Sequence, residues 1–85
     1  MAIKSIKIYS TSWCRDCSKS KMFLDEKGIK YENIDIEEHP EFVKYVEDIN
    51  NGFKTVPTIV ITYNDDSVRI LTEPSNEILS EAVEI

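Results

Sequence analysis

The hydrophobic pattern of residues 3–36 changes period twice, and that change limits the folds open to the chain. Ile3, Ile6, Ile8 and Tyr9 make a short, branched, apolar segment that reads as a buried strand. STSWC follows, with hydroxyl side chains suited to capping a helix start. The residues from Cys14 to Lys27 favour helix, with Cys17, Ser20, Phe23 and Leu24 on one face, and Gly28 supplies the stop. IKYENIDI, with Ile29, Tyr31, Ile34 and Ile36 in imperfect alternation, reads as a second strand. A strand–helix–strand unit implies parallel pairing through a right-handed crossover.

The rest of the chain adds a second helix and a hairpin. EEHPEFVKYVEDINNG places Pro40 near a helix start and Gly52 after its end, with Phe42, Tyr45, Val46 and Ile49 as the apolar stripe. VPTIVITY is the strand densest in branched residues; NDDS is a turn, and Val68 to Leu71 returns as a short strand. Pro74 opens a last helix with Ile78, Leu79, Ala82 and Val83 on one side. The predicted order is strand, helix, strand, helix, strand, strand, helix: an α/β chain whose mixed sheet needs helices on its faces. There is no repeat, linker or low-complexity tract, and 85 residues make one small domain spanning 1–85.

Charge and hydropathy exclude several classes of function. The net charge of -6 gives no overall attraction to phosphate backbones, so no nucleic-acid partner is expected. No apolar run is long enough to cross a bilayer, and the N-terminus lacks the run of a signal peptide. The expectation is a cytoplasmic chain, with no membrane partner, in a reducing compartment where a permanent structural disulfide is disfavoured. Residues 1–30 carry seven bases and three acids, and the remainder three bases and thirteen acids. The basic portion holds both cysteines, an electropositive setting for a thiolate.

Cys14 and Cys17 form a Cys-x-x-Cys pair where the first strand meets the first helix. Residues three apart on a helix lie roughly 5–6 Å apart at Cβ, which suits a bond that opens and closes with little backbone movement. Cys14 would lie in the first turn, where unpaired backbone N–H groups and the positive end of the helix dipole favour a thiolate. Cys17, in register with Leu24, should be more buried and less ionised. One sulfur is then suited to attack a disulfide and the other to release the product. Arg15 supports a thiolate on Cys14, whereas Asp16 opposes it or caps the helix. A metal reading competes: two thiolates are half of a closed zinc site, and two chains could share an Fe–S cluster or other metal through Cys14 and Cys17. His39, the only histidine, reads as a surface turn residue, so no metal ligand is assigned within one chain.

Several residues carry a resemblance. YSTSWCRDCSKSKMFLDEKGIKYENIDIEEHPE followed by NGFKTVPTIVI resembles the glutaredoxins, and more narrowly the group that includes mycoredoxins and the redoxins serving ribonucleotide reductase. It implies a thioredoxin-like fold, βαβαββα, with a central four-stranded mixed sheet flanked by helices. It implies a cis Val56–Pro57 bond facing the cysteines, with Thr55, Val56 and Pro57 as the wall of a groove for thiol substrates. By spacing alone, Pro57 would equally be a tolerated strand start. Trp13 occupies the aromatic position before the first cysteine, as packing or as a docking surface. Lys54 would attract the carboxylate of a small thiol or a partner, or simply face water. Lys21 would add positive field from one turn beyond Cys17. The chain departs from the family in Arg15-Asp16 between its cysteines. LTEPSNE stands where glutaredoxins often have a Gly-Gly pair that grips glutathione, and it leaves Ser75 and Asn76 as weaker candidates for that grip.

The reading is a monomeric thiol–disulfide oxidoreductase with Cys14 as nucleophile and Cys17 as resolving thiol. It would act on protein disulfides or protein–small-thiol mixed disulfides. No cofactor stays bound; a glutathione-like thiol or a thioredoxin-reductase-like flavoprotein supplies electrons. The alternatives are a non-catalytic Fe–S or metal carrier bridging two subunits, and a redox-insensitive adaptor that binds through Trp13 and the acidic face.

Overall fold

The computed structural model describes residues 3–83, and their element order is the one the hydrophobic periods imply. It runs β1 (Ile3–Ser10), α1 (Arg15–Glu26), β2 (Glu32–Asp35), a short 3-10 turn (Pro40–Phe42) leading into α2 (Val43–Ile49), β3 (Thr58–Tyr63), β4 (Val68–Thr72) and α3 (Asn76–Ala82). The strands form one sheet in the order β2-β1-β3-β4. β1 and β2 are parallel, and the pairs β1–β3 and β3–β4 are antiparallel.

The register decides which ends meet. Tyr9 pairs with Thr58, and Thr58 pairs with Thr72. The end of β1, the start of β3 and the end of β4 therefore share one edge of the sheet. The segments continuing from them, 11–14, 55–57 and 73–75, converge there although they are far apart in the chain.

The two faces bury different residues because side chains alternate along a strand. On one face Ile6, Ile8, Ile59, Ile61, Tyr63 and Leu71 pack with Leu24 of α1, with Leu79 and Ala82 of α3, and with Val83. On the other, Tyr9, Ile34 and Val60 pack with Val46 of α2 and with Ile36. The Tyr9 phenol is raised above its ordinary pKa of 10.0, first by burial and then by Tyr45 and Glu32. Tyr63 Oη donates to the carbonyl of Ala82 at 2.7 Å, fastening α3 to the sheet.

Helix ends follow the backbone rules. After α1, Gly28 takes a left-handed φ of 69°, its N–H donates to Asp25 O, and the Ile29 N–H reaches Leu24 O at 2.9 Å. This is the paired closure that satisfies terminal carbonyls, and a β-carbon at that φ would be strained. After α2 both Asn51, at φ 58°, and Gly52, at φ 94°, take a positive φ, and the Gly52 N–H reaches Glu47 O. Gly52 follows the helix end as expected, and the residue ahead of it is an asparagine, which also tolerates that conformation.

Three expectations are corrected. Ile78 is 45% exposed rather than part of the buried side of α3, because Leu79, Ala82 and Val83 already fill that contact. Tyr45 is exposed at its edge and rests on the Tyr9 ring, with centroids 5.3 Å apart. The second strand is only four residues long, with Ile29 and Tyr31 ahead of it and Ile36 past its end.

Leu24 is fully buried, whereas Met22, two residues earlier on the same helix, is 60% exposed. Leu24→Ala should cost about 2–5 kcal/mol. Met22→Ala should cost within about 0.5 kcal/mol. Urea unfolding of both variants in the oxidised state measures the contrast, and equal losses would contradict the assigned core.

Candidate active site

β1 ends at Ser10, and a tight turn carries the chain to α1, with the Cys14 N–H donating to Thr11 O at 3.4 Å. Cys14 is the N-cap of α1, at φ -80° and ψ 113°. Its Sγ accepts the Cys17 N–H at 3.0 Å, and its carbonyl accepts the Ser18 N–H at 3.2 Å. The cap is therefore sulfur, not one of the expected hydroxyls. The physical reason is position: Ser10 still belongs to the strand and donates to Asn33 Oδ1 at 2.6 Å, and Thr11 Oγ1 is buried without a partner. Asp16 lies in the first turn but makes no cap.

Cys14 and Cys17 are joined in a disulfide, with Cα atoms 5.2 Å apart. Cys17 is fully buried, and Cys14 keeps 7% of its surface. An open groove of about 610 Å³ lies over Cys14, lined by Trp13, Cys14, Arg15 and Asp16 on one side and by Lys54, Thr55, Val56 and Glu73 on the other. Cys17 does not line it. Trp13 is 68% exposed, a flat apolar surface beside the sulfur.

The second wall is held by a hydrogen-bond relay. Thr58 Oγ1 donates to Thr55 O at 2.7 Å and accepts from Asn50 Nδ2 at 2.9 Å. Asn50 also donates to Val46 O and accepts from the Thr72 hydroxyl at 2.7 Å. One side chain thus ties α2, β3 and β4 to the segment that carries Thr55 and Val56. The Val56–Pro57 bond is cis. Pro57 is fully buried and does not line the groove, while its carbonyl accepts the Glu73 N–H at 2.9 Å.

Of the residues singled out in the sequence, the fold brings Trp13, Cys14, Arg15, Lys54, Thr55 and Val56 into one groove. Lys21, Ser75 and Asn76 do not line it. Ser75 instead caps α3, its hydroxyl accepting the Ile78 N–H at 3.2 Å. The expected electropositive setting is not realised, because Asp16 and Glu73 match Arg15 and Lys54 in number within the groove. Glu73 and Asn50 were not picked out from the sequence. The hairpin register would have found Glu73, since pairing Thr58 with Thr72 sets the next residue beside Pro57. Among the described residues no group of three or more His, Cys, Asp or Glu could hold a metal ion, and His39 sits on the surface 3.7 Å from Glu41.

A helix-capping Cys-x-x-Cys disulfide at one edge of a mixed four-stranded sheet, facing a cis-proline segment, defines a dithiol redox protein of the thioredoxin fold. Comparison with known proteins narrows the class. Residues 6–68 match the glutaredoxin family. A Mycobacterium tuberculosis protein that bears the name glutaredoxin is 36% identical over 86 residues, covering 100% of this chain and 98% of its own. Mycoredoxin 1 of Corynebacterium glutamicum is 30% identical over 95% of this chain and 91% of its own. The crystal structure of a glutaredoxin from Archaeoglobus fulgidus superposes with a TM-score of 0.73 over 95% of this chain and 87% of its own, at 24% identity. The chain belongs to the glutaredoxin family, and it is a thiol–disulfide oxidoreductase that works through its Cys-x-x-Cys disulfide.

The relay predicts an effect away from the sulfurs. Asn50→Ala leaves the Thr58 and Thr72 hydroxyls each short of a partner and should cost about 1–3 kcal/mol. It should also speed amide exchange at Thr55 and Val56 relative to β1. Unchanged stability and exchange would show that the groove wall is held by other contacts.

Proposed function

We propose that Cys14 is the attacking sulfur and Cys17 the resolving one, and that the substrates are protein disulfides or protein mixed disulfides with a small thiol. The observation that carries this reading is the inequality of the two sulfurs. Cys14 lies at the groove and accepts a backbone N–H at the N-terminus of a 12-residue helix. Cys17 is fully buried one turn further in. Amide donors and the helix dipole stabilise negative charge on the first and not the second.

The reaction follows by thiol–disulfide exchange. The Cys14 thiolate attacks one sulfur of the substrate, forming a mixed disulfide and releasing the other sulfur as a thiolate. Cys17 gives up its proton and attacks the Cys14 sulfur. The second substrate thiolate leaves, and the Cys14–Cys17 disulfide forms. Two electrons have passed to the substrate, and two protons complete its thiols. A low-molecular-weight thiol or a flavoprotein reductase then returns two electrons and two protons to the pair. Likeness to a mycoredoxin supports a small-thiol donor. Likeness to the glutaredoxin-like protein NrdH of Lactococcus lactis, 40% identical over 71% of this chain, leaves the reductase as the second candidate. Trp13, Thr55 and Val56 form the docking surface for the substrate segment, and Lys54 attracts an acidic group on it. A cytoplasmic setting fits a donor of either kind.

Three experiments test the reading. Cys14→Ser should abolish reduction of every disulfide, while Cys17→Ser should accumulate mixed disulfides visible by intact mass. Turnover of protein disulfides by Cys14→Ser would end the assignment. In the reduced protein, iodoacetamide should label Cys14 ahead of Cys17, with half-maximal rate at a pH below that for a free cysteine peptide. Incubating the oxidised protein with glutathione, with a mycothiol-type thiol, or with thioredoxin reductase and NADPH identifies the donor by which of them regenerates the dithiol.

A further inference from the structure

Glu73 lines the groove but has no part in the disulfide chemistry or the wall relay. It follows β4 directly and takes a left-handed φ of 46°, where residues with a β-carbon are uncommon. Its N–H is committed to Pro57 O at 2.9 Å, so the backbone is pinned beside the cis proline, and the residue lines the same groove as Cys14. Backbone conformation alone would favour glycine at such a position. Glycine would supply the same N–H without the charge.

Lys54, Thr55, Val56 and Glu73 line one wall of the groove, and the Glu73 N–H holds that residue against Pro57 O behind it. That wall therefore carries one base and one acid, as Arg15 and Asp16 do on the other. Among the described residues neither Lys54 nor Glu73 is in an ion pair, so both charges remain for a bound substrate.

We infer that Glu73 is a specificity-determining residue: it selects disulfides that carry an ammonium or guanidinium group near the bond, placed beside Glu73, and disfavours a carboxylate there. The protein substrate it fits is a disulfide flanked by lysine or arginine. The inference rests on the oxidoreductase reading of Cys14 and Cys17 and adds the charge of the substrate to it.

Small symmetric disulfides isolate the effect. Pre-reduced wild type, Glu73→Gln, Glu73→Asp and Glu73→Gly are mixed with excess cystamine, which is cationic, 3,3′-dithiodipropionate, which is anionic, or 2-hydroxyethyl disulfide, which is neutral. Each reaction oxidises Cys14 and Cys17 to their disulfide and yields two small thiols. Its rate is read by intact mass after acid quench and by fluorescence of Trp13, the only tryptophan. Changes in the reactivity of Cys14 itself alter all three rates together, so the ratio of cationic to anionic rates reports the groove. Arg15 and Lys54 act on both charged probes in every variant, and the change in ratio belongs to position 73.

At low salt the ratio should fall about threefold to tenfold in Glu73→Gln, the size expected for one surface charge several ångströms away. It should fall equally in Glu73→Gly, whose backbone suits the left-handed turn, and be largely kept in Glu73→Asp. In 0.5 M salt the differences should shrink toward one. A ratio unchanged within experimental error in both the Gln and Gly variants overturns the inference while leaving the redox assignment standing. Failure of the wild-type dithiol to react with any of the three would overturn both.

Discussion

A helix leaves its first amide donors without partners, and in this protein one of them is met by a sulfur. The Cys17 N–H points at Cys14 Sγ at 3.0 Å, so the same atom starts the helix and carries the chemistry. A hydroxyl or carboxylate cap would serve the helix as well. Sulfur alone couples that service to a bond that can be made and broken. The inner cysteine then falls, by helical geometry, on the buried face with Ser20 and Leu24. The two sulfurs are made unequal in exposure and in amide contact by their place on one helix turn.

Everything that faces this turn arrives from elsewhere in the chain, and the sheet brings it. With β1 and β3 antiparallel in the middle and β4 returning along β3, the end of β1, the start of β3 and the end of β4 share an edge. The cysteine turn, the cis-proline segment and Glu73 meet at that edge. Asn50 fixes the proline-bearing segment by hydrogen bonds to Val46, Thr58 and Thr72. The rigid sheet positions an exposed groove, and the loops that line it carry the charges a substrate would meet.

The mixed charge of the groove bears on what the family resemblance can say. Seven of the ten bases lie in the first thirty residues, yet only Arg15 among them reaches the groove. Lys4 on β1 pairs with Asp66 in the β3–β4 turn, and Lys21 does not line the cavity. Ser75, offered by sequence position as a grip for a small thiol, is occupied in capping α3. The side chains that line the groove of this oxidoreductase are few, and strand register sets which of them stand together.

Local pattern was enough for the elements and for the reactive pair. Branched alternation marks β1 and β3, Gly28 marks the end of α1, and two cysteines three apart at a strand–helix junction mark the redox centre, because periodicity, helix stops and helix geometry act over a few residues. Tertiary structure decided what those elements face. Asn51 joins Gly52 in positive φ after α2, Ile78 stays in water because its neighbours fill the core, and Cys14 caps its own helix while Ser10 stays in the strand and the Thr11 hydroxyl is buried. Most of all, Glu73 reaches Cys14's groove through the β3–β4 register and its bond to Pro57. Contacts between residues nearly sixty positions apart leave no trace in local periodicity, and only the packed sheet brings them together.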